Sequence, residues 1–275
     1  MRALAPSTEF DGGGIGTVVT SSFSSFHAGE WRAVAVCGQG GSAEVWYAQA
    51  PGGREAALKR LQPALRQHSG ARDRLRREFA VLRGVPSQVV VTPLELVESD
   101  DGPALALEYL PNGDLVSLLG VPPRHWLAAF RTVVSALTDL HAYGVAHGDV
   151  KARNVLFARD RSARLVDLTG ARPVDAPAVC STAAYSLPAG VSATARAADC
   201  FALAVLLHEL ATGQLPYGAD GPTRLGDAPE VAAPRDPLAA RLAAAAEPML
   251  VAGGSLAPGL SYFADVIESV GAAGA

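Results

Sequence analysis

The hydrophobic pattern of the chain changes near residue 110, and this change limits the folds that are open to it. Over residues 31–110, short apolar stretches alternate with Gly- and Pro-containing breaks, a pattern typical of an antiparallel meander. Residues 71–85 differ, because Leu75, Phe79 and Leu82 recur there at helical spacing between charged residues. The pattern therefore predicts a β-rich unit that contains one amphipathic helix.

After residue 110 the pattern becomes mainly helical. Residues 126–144 carry apolar residues at i, i+3, i+4 and i+7 and end at a glycine, and residues 195–212 form a strongly apolar stretch. Two short strand-like pieces, NVLF and ARLVDL, lie between these helices. The predicted fold class is α+β, with a β-rich unit over residues 31–110 and a mostly helical unit over residues 111–275. We expect residues 1–30 to form a flexible leader without a signal peptide.

Charge and cysteine content exclude several classes of partner and site. The net charge is −4, so we expect neither a nucleic acid nor an anionic membrane as partner. The longest apolar run, residues 201–207, is far shorter than a membrane span. The chain has three widely separated cysteines, which suit reduced packing residues in a cytoplasmic protein better than disulfides or a metal cluster: Cys37, Cys180 and Cys200.

Short motifs follow one another in a definite order along the chain. They are GQGGSAEV at residues 38–45, AALK at 56–59, RREF at 76–79, HGDVKARN at 147–154 and VDLTGA at 166–171. Each is weak alone, but their order and the elements predicted between them resemble the eukaryotic-type protein kinases over most of residues 31–270. The resemblance implies a bilobal fold, with an N-terminal lobe at residues 31–110 and a C-terminal lobe at residues 111–275. It also implies that the chain transfers phosphate from ATP to a protein or peptide.

The resemblance assigns one group of residues to ATP. Lys59 would contact the phosphates as a cation held by Glu78, and glycines would let the backbone approach the phosphates closely. Other residues would surround the adenine or bond its edge through their backbone. The full group is Gly38, Gly40, Val45, Ala57, Lys59, Glu78, Glu108, Leu110 and Leu156.

A second group would carry the chemistry. By the resemblance, Asp149 would accept the proton of the attacking hydroxyl or orient that hydroxyl, and Lys151 would offset charge on the migrating phosphoryl group. Asn154 and Asp167 would bind Mg²⁺ or Mn²⁺ through hard oxygen atoms. We expect His147 to be structural rather than a base.

The chain departs from the kinase pattern at several positions. Ala43 replaces a third glycine, which is tolerable if its φ angle stays negative. Gly148 stands where kinases switched by activation-loop phosphorylation have an arginine that pairs with the phosphate, so we expect no such switch. Thr169 replaces a glycine after the metal-binding aspartate and should favour the conformation with Asp167 turned inward. Ala189 replaces a glutamate, which could leave the C-terminal lobe less rigid.

Two other functions remain open on the sequence alone. The His-Gly-Asp spelling also resembles small-molecule phosphotransferases of the aminoglycoside and choline kinase type, and the degenerate motifs would suit a pseudokinase scaffold that binds nucleotide. Lys151 and the loop at residues 181–189, where Thr182 would brace Asp149, favour a serine/threonine protein or peptide kinase. Asp199 matches the residue that anchors the catalytic loop in that family. The Ala- and Arg-rich composition is typical of high-GC bacteria, and we expect no sensor domain or membrane anchor after the catalytic unit.

Overall fold

A computed structural model describes residues 26–179, 181–223, 234–251 and 259–272. Its first part is a six-stranded antiparallel sheet in the order β1-β2-β3-β4-β6-β5. The strands are β1 (His27–Ala28), β2 (Trp31–Gln39), β3 (Ala43–Ala50), β4 (Arg54–Leu61), β5 (Pro93–Val97) and β6 (Ala104–Leu107). β5 begins with a proline, which has no N–H to donate, and it lies accordingly at the edge of the sheet.

Helix α1 (Ser69–Gly84) packs against this sheet and confirms the predicted amphipathic helix. The helix begins where the His68 side chain accepts a hydrogen bond from the Ala71 N–H. Its buried face includes Leu75, Glu78 and Leu82. It ends just before the Val85-Pro86 pair, as expected because a proline disfavours helical geometry in the preceding residue.

The second part of the chain is mostly helical. Its elements are α2 (Leu127–Ala142), β7 (Val145–Ala146), β8 (Val155–Phe157), β9 (Ala163–Leu165), β10 (Arg172–Pro173), α3 (Ala195–Thr212), α4 (Pro237–Val251) and α5 (Leu260–Ala272). β8 pairs with β9 and β7 with β10, each antiparallel. The predicted helices at residues 126–144 and 195–212 and the two strand-like pieces are confirmed. The structure thus has the α+β class and the bilobal architecture that the resemblance implies.

Alternating side chains of β6 show how the core is divided. Leu105 and Leu107 belong to the main core, which continues through α1 into α2 and α3, whereas Ala104 and Ala106 belong to a smaller core around Trp46. Because successive strand residues point to opposite faces, β6 is buried on both sides. No helix within the described ranges is long and apolar enough to cross a membrane.

Two expectations need correction. Residues 1–25 of the expected leader lie outside the described residues, but residues 26–30 are ordered, since β1 pairs with β2 and Phe26 contacts Trp46 edge to face. Cys37 is exposed rather than packed in the core, because the strand that carries it lies beside the open turn at residues 40–42. Cys200 is buried as expected, and Cys180 lies outside the described residues.

Candidate active site

The predicted site residues converge where the sheet meets the helical part. The hairpin of β8 and β9 is central to this arrangement, because it carries Asn154 at its beginning and Asp167 two residues after its end. The Val166 N–H donates to the Asn154 carbonyl at 2.9 Å, which extends the pairing of the hairpin. A parallel bridge between Val90 and Leu165 ties the same hairpin to the chain that leads into β5.

Lys59 forms the first cluster of the site. It extends from β4, where it is almost fully buried, and its Nζ lies 2.8 Å from both carboxylate oxygens of Glu78 on α1. The same Nζ donates to Asp167 Oδ1 and to Thr169 Oγ1, each at 2.7 Å. The sheet, α1 and the segment after β9 therefore meet at one ammonium group.

The opposite charges in this cluster stabilise each other's ionised forms. Burial lowers the pKa of the Lys59 ammonium, but the nearby Glu78 and Asp167 carboxylates outweigh burial and raise the pKa above its usual range. Burial raises the pKa of Asp167, yet the charge and hydrogen bond of Lys59 and the Thr169 hydroxyl hold this pKa well below its usual range. Lys59 is thus a cation and Asp167 an anion at neutral pH.

Asp149 is the centre of the second cluster. Its Oδ2 accepts from Lys151 Nζ at 2.6 Å and from Asn154 Nδ2 at 3.1 Å, while its Oδ1 accepts from the Thr182 hydroxyl at 2.7 Å. Lys151 Nζ also donates to Thr182 Oγ1 at 2.9 Å. The predicted contact of Thr182 with both Asp149 and Lys151 is present, and it fixes the orientation of the carboxylate.

Helix α3 holds the backbone before Asp149 through hydrogen bonds to the Asp199 carboxylate. Both carboxylate oxygens of the buried Asp199 are used, one accepting the Gly148 N–H at 2.8 Å and the other the His147 N–H at 2.7 Å. The His147 ring is fully buried: its Nδ1 accepts the Asp149 N–H, and its Nε2 lies 3.0 Å from the Val166 carbonyl. With both ring nitrogens occupied, His147 has the structural role expected of it.

Gly148 occupies a position that suits only glycine. Its φ angle is +80°, and a Cβ added to it would lie 2.5 Å from the carbonyl oxygen of Gly170. A Cβ on Gly170 would in turn lie 3.1 Å from the His147 carbonyl oxygen. The two glycines therefore allow the loop at residues 147–149 and the segment after Asp167 to touch backbone to backbone.

The residues predicted to surround adenine lie along the inner face of the sheet and on β8. In the sheet, Val45 pairs with Gly38 and Lys59, and Ala57 pairs with Leu107. On β8, Leu156 forms a bridge with Asp114. The side chains that face the cleft are half-buried: Val45, Ala57 and Leu156.

Backbone hydrogen bonds hold both the turn between β2 and β3 and the segment at residues 107–110, which the kinase resemblance makes the hinge between the lobes. The Gly40 N–H donates to the Ala43 carbonyl at 2.9 Å and closes the turn between β2 and β3. Ala43 is not among the described residues with a positive φ angle, so the condition for tolerating it is met. At the hinge, the Glu108 N–H is already bonded to the Thr92 carbonyl and the Glu108 carboxylate lies near Arg164, while Leu110 is buried.

Two oxygen atoms are free to bind a cation. Asn154 uses its Nδ2 to bond Asp149, so its Oδ1 is left as an acceptor, and Asp167 uses Oδ1 for Lys59 and Thr169, so its Oδ2 is left. No other described residue donates a hydrogen bond to either oxygen. One carboxylate and one carboxamide oxygen, completed by phosphate and water, suit Mg²⁺. Within the described ranges no cluster of three or more His, Cys, Asp or Glu could hold a metal ion alone.

Reasoning from the sequence missed the role of the Thr169 hydroxyl. The sequence indicates only that Thr169 is a β-branched replacement that restricts the backbone, yet its Oγ1 lies within hydrogen-bonding distance of Lys59, Glu78 and Asp167. The available signal was a hydroxyl two residues after a predicted metal ligand. Only the fold shows that this hydroxyl points toward Lys59.

Comparisons with known proteins agree with this geometry. The family model described as "Protein kinase domain" matches residues 31–229. The chain is 30% identical over 204 residues to the probable serine/threonine-protein kinase PkwA of Thermomonospora curvata, covering 70% of this chain and 27% of that protein. It is 30% identical over 213 residues to the serine/threonine-protein kinase pkn2 of Myxococcus xanthus, covering 70% of this chain and 25% of that protein.

A third relative is the serine/threonine-protein kinase PknH of Mycobacterium bovis, with 32% identity over 207 residues, 70% of this chain and 34% of that protein. The matches thus span only about a quarter to a third of the length of these curated relatives. The family match covers well over half of the chain and contains both polar clusters. The chain therefore belongs to the protein kinase family, as a eukaryotic-type member similar to bacterial serine/threonine kinases.

Proposed function

We propose that this chain is an ATP-dependent protein or peptide serine/threonine kinase. The observation that carries the proposal is the pair of polar clusters around Lys59 and Asp149, joined through the Asn154–Val166 hydrogen bond. Phosphoryl transfer needs little covalent help from an enzyme; it needs alignment of the reactants and compensation of charge. The two clusters supply a cation and ionised oxygens at fixed positions, which is what that chemistry requires.

In this proposal ATP binds between the sheet and the β8–β9 hairpin. Gly38 and Gly40 leave room for phosphates beside the backbone, and Lys59 gives one of its N–H bonds to the α- and β-phosphates. The half-buried Val45, Ala57 and Leu156 cover the adenine. Glu108 and Leu110 offer the adenine edge their remaining backbone groups, which take part in no backbone hydrogen bond among the described residues.

Asn154 and Asp167 are the proposed ligands of the divalent metal ion, Mg²⁺ or Mn²⁺. A bound divalent ion would neutralise charge on the phosphates. The depressed pKa of Asp167 supports this role, because the carboxylate is ionised at neutral pH. The Asn154 Nδ2 bonds to Asp149 turn the amide so that its oxygen remains available.

Asp149 is the proposed proton acceptor. The substrate hydroxyl attacks the γ-phosphorus, the bond from that phosphorus to the ADP oxygen breaks, and the hydroxyl proton passes to the Asp149 carboxylate. Lys151, which lies 2.6 Å from that carboxylate, offsets negative charge on the transferred group. Thr182 keeps Asp149 in position through its hydroxyl.

Lys151 and the loop after residue 180 support a Ser or Thr of a protein or peptide as the proposed acceptor. The contacts of Thr182 with Lys151 and Asp149 extend the catalytic cluster to the loop at residues 181–189, which would receive the backbone of a peptide substrate. The names of the curated relatives are consistent with Ser or Thr as the acceptor. We therefore favour a protein or peptide substrate over a metabolite.

We further propose that activity does not depend on phosphorylation of the activation loop. Gly148 lacks the side chain that would bind such a phosphate, and its contact with Gly170 leaves no space for one. Phosphopeptide mapping of the active enzyme tests this: full activity without modification of residues 172–184 is expected. A modified residue in that segment that is required for activity would contradict it.

The first experiment measures transfer of labelled phosphate from ATP with Mg²⁺ or Mn²⁺ to a Ser/Thr-rich protein and to a panel of amino-alcohol metabolites. Asp149→Asn should abolish the transfer, and Asp101→Asn, the same chemical change at an exposed turn, should not. Label on Ser or Thr supports the proposal. Label only on a metabolite would favour a small-molecule kinase, and nucleotide binding without transfer to any acceptor would favour a pseudokinase scaffold.

A further inference from the structure

The Thr169 hydroxyl lies at the centre of the Lys59 cluster. Its Oγ1 is 2.7 Å from Lys59 Nζ, 2.6 Å from Asp167 Oδ1 and 3.1 Å from Glu78 Oε2. A hydroxyl has one hydrogen to donate and lone pairs to accept, whereas an ammonium only donates and a carboxylate only accepts. Thr169 therefore accepts from Lys59 and donates to the nearer carboxylate, that of Asp167.

The three charged partners of Thr169 belong to different elements. Lys59 is on β4, Glu78 is on α1, and Asp167 lies with Thr169 in the segment after β9. Thr169 is the uncharged member of this network, and its hydroxyl oxygen, like Lys59 Nζ, lies within hydrogen-bonding distance of all the others. A glycine at this position could make none of these side-chain contacts.

Asp167 needs such support. Its φ angle is +68°, one of two positive values among the described non-glycine residues. A left-handed conformation at a residue with a Cβ is unfavourable and persists only where neighbouring contacts hold it. Lys59 and Thr169 both bond the same Asp167 oxygen, and so both contribute to holding it.

The hydrogen bonds of Lys59 show when Thr169 matters most. The ammonium has three hydrogens, and they serve Glu78, Asp167 and Thr169. A phosphate that takes one of them weakens a contact of Lys59 with its present partners. The bond of Thr169 to Asp167 does not pass through Lys59, so it can hold Asp167 in place during that exchange. The same hydroxyl oxygen lies 3.1 Å from Glu78 Oε2 on α1.

We propose that Thr169 is a positioning residue whose hydroxyl fastens the Asp167 segment to Lys59 and, through the Lys59–Glu78 ion pair, to α1, and so keeps the site assembled. The catalytic consequence rests on the proposed kinase function. The assembly itself is a property of the folded chain and does not depend on that function.

The test compares Thr169→Val, which keeps the branched shape and loses the hydroxyl, with Thr169→Ser, which keeps the hydroxyl. Thr138→Val on α2 is the matched control, because it also removes a hydroxyl whose hydrogen bond, 2.8 Å to the Val134 carbonyl, lies outside both clusters. The readout is hydrogen exchange of the nucleotide-free protein in α1, at residues 166–171 and in α3.

We expect Thr169→Val to accelerate exchange in α1 and at residues 166–171 about tenfold, the effect of removing hydrogen bonds to charged groups. α3 should keep its wild-type rate. Thr169→Ser should keep exchange within about threefold of the wild-type rate. Phosphate transfer should be slowest in Thr169→Val and close to the wild-type rate in Thr169→Ser.

Three results would overturn the inference: wild-type exchange in Thr169→Val, equal acceleration in the Ser and Val variants, or equal acceleration throughout α3. The first would show that the hydroxyl is dispensable, the second that the branched shape matters, and the third that the protein is generally destabilised. A wild-type protein that transfers no phosphate would refute the proposed function, yet the exchange comparison would still decide this inference.

Discussion

Gly148 shows how one residue can determine the path of a catalytic loop. Its amide is bound by Asp199, its φ angle is +80°, and its Cα faces the carbonyl of Gly170. Any side chain there meets two separate penalties, the left-handed backbone and the contact with Gly170. A second glycine allows these penalties to be separated, because Gly144 has φ +88° and no atom within 4 Å of an added Cβ.

We predict that Gly148→Ala destabilises the protein more than Gly144→Ala does. The Gly144 variant should lose about 1 kcal/mol for the backbone conformation alone, and the Gly148 variant at least about 1 kcal/mol more. Urea unfolding of both variants beside wild type measures the difference. Equal losses would mean that the Gly170 backbone moves aside at no cost.

Asp167 gives a prediction about pH. Because its pKa is lower in the folded protein than the ordinary value of about 3.9, its ionised form stabilises the fold above that value. This contribution is lost as the pH falls below about 4. The difference in unfolding free energy between wild type and Asp167→Asn should therefore be constant from pH 8 to about 5 and should shrink as the pH falls below about 4. A difference that grows on acidification would contradict the assignment.

At the scale of elements, α3 serves as the base of the catalytic loop. Asp199 is almost fully buried in α3, and its carboxylate accepts hydrogen bonds from two consecutive backbone N–H groups while it contacts His141 Nε2 at 2.8 Å. A buried helix with apolar residues around its whole circumference cannot shift easily. The buried helix α3 thereby fixes the position of the backbone that leads into Asp149.

We predict that Asp199→Ala lowers the unfolding free energy by about 3 kcal/mol, since it leaves buried donors without an acceptor. Asp265→Ala, at an exposed position on α5, is the control and should change stability by less than about 0.5 kcal/mol. Chemical denaturation gives both values. Amides of residues 145–149 should exchange faster in Asp199→Ala, and unchanged exchange there would show that α3 does not hold the loop.

The elements also show what the sequence could and could not predict. Helices α1, α2 and α3 were predicted to within about two residues, because each has a strong apolar period and a recognisable end. The motifs that contain Lys59, Glu78, Asp149 and Asp167 have characteristic spacing, and these residues do lie in the two polar clusters, but the roles assigned to them stay predictions. The Thr169 hydroxyl and the Gly148–Gly170 contact were not predicted, because each joins segments whose separation in space depends on tertiary packing rather than on local pattern.

At the scale of the whole molecule, the main core crosses the boundary between the sheet and the helical part. It runs from Leu75 on α1 through Leu105 on β6 to Leu165 on β9 and Phe201 on α3. Backbone bonds also cross the boundary, with Leu165 N–H donating to the Val89 carbonyl at 3.0 Å. Two parts that share one core lose it together, so they should unfold together.

We predict a single cooperative unfolding transition. Trp46 belongs to the smaller core of the sheet and Trp126 to the main core, so two variants that each keep one of these residues, with the other tryptophans changed to Phe, report on the two regions. Their fluorescence midpoints in urea should coincide with each other and with far-UV circular dichroism. Separate midpoints would show that the sheet and the helical part unfold independently.

The backbone contact between Gly148 and Gly170 also bears on how this chain can evolve. An arginine at position 148 would require the segment after Asp167 to move away, and a side chain at position 170 would require the catalytic loop to move instead. The obstacle in each case is a backbone carbonyl of the facing segment, so replacing the facing glycine does not remove it, and a phosphate-binding side chain at position 148 requires the two segments to separate. Regulation through a phosphate bound at residue 148 would therefore need more than one substitution, whereas an added segment or a partner could regulate the protein with this contact intact.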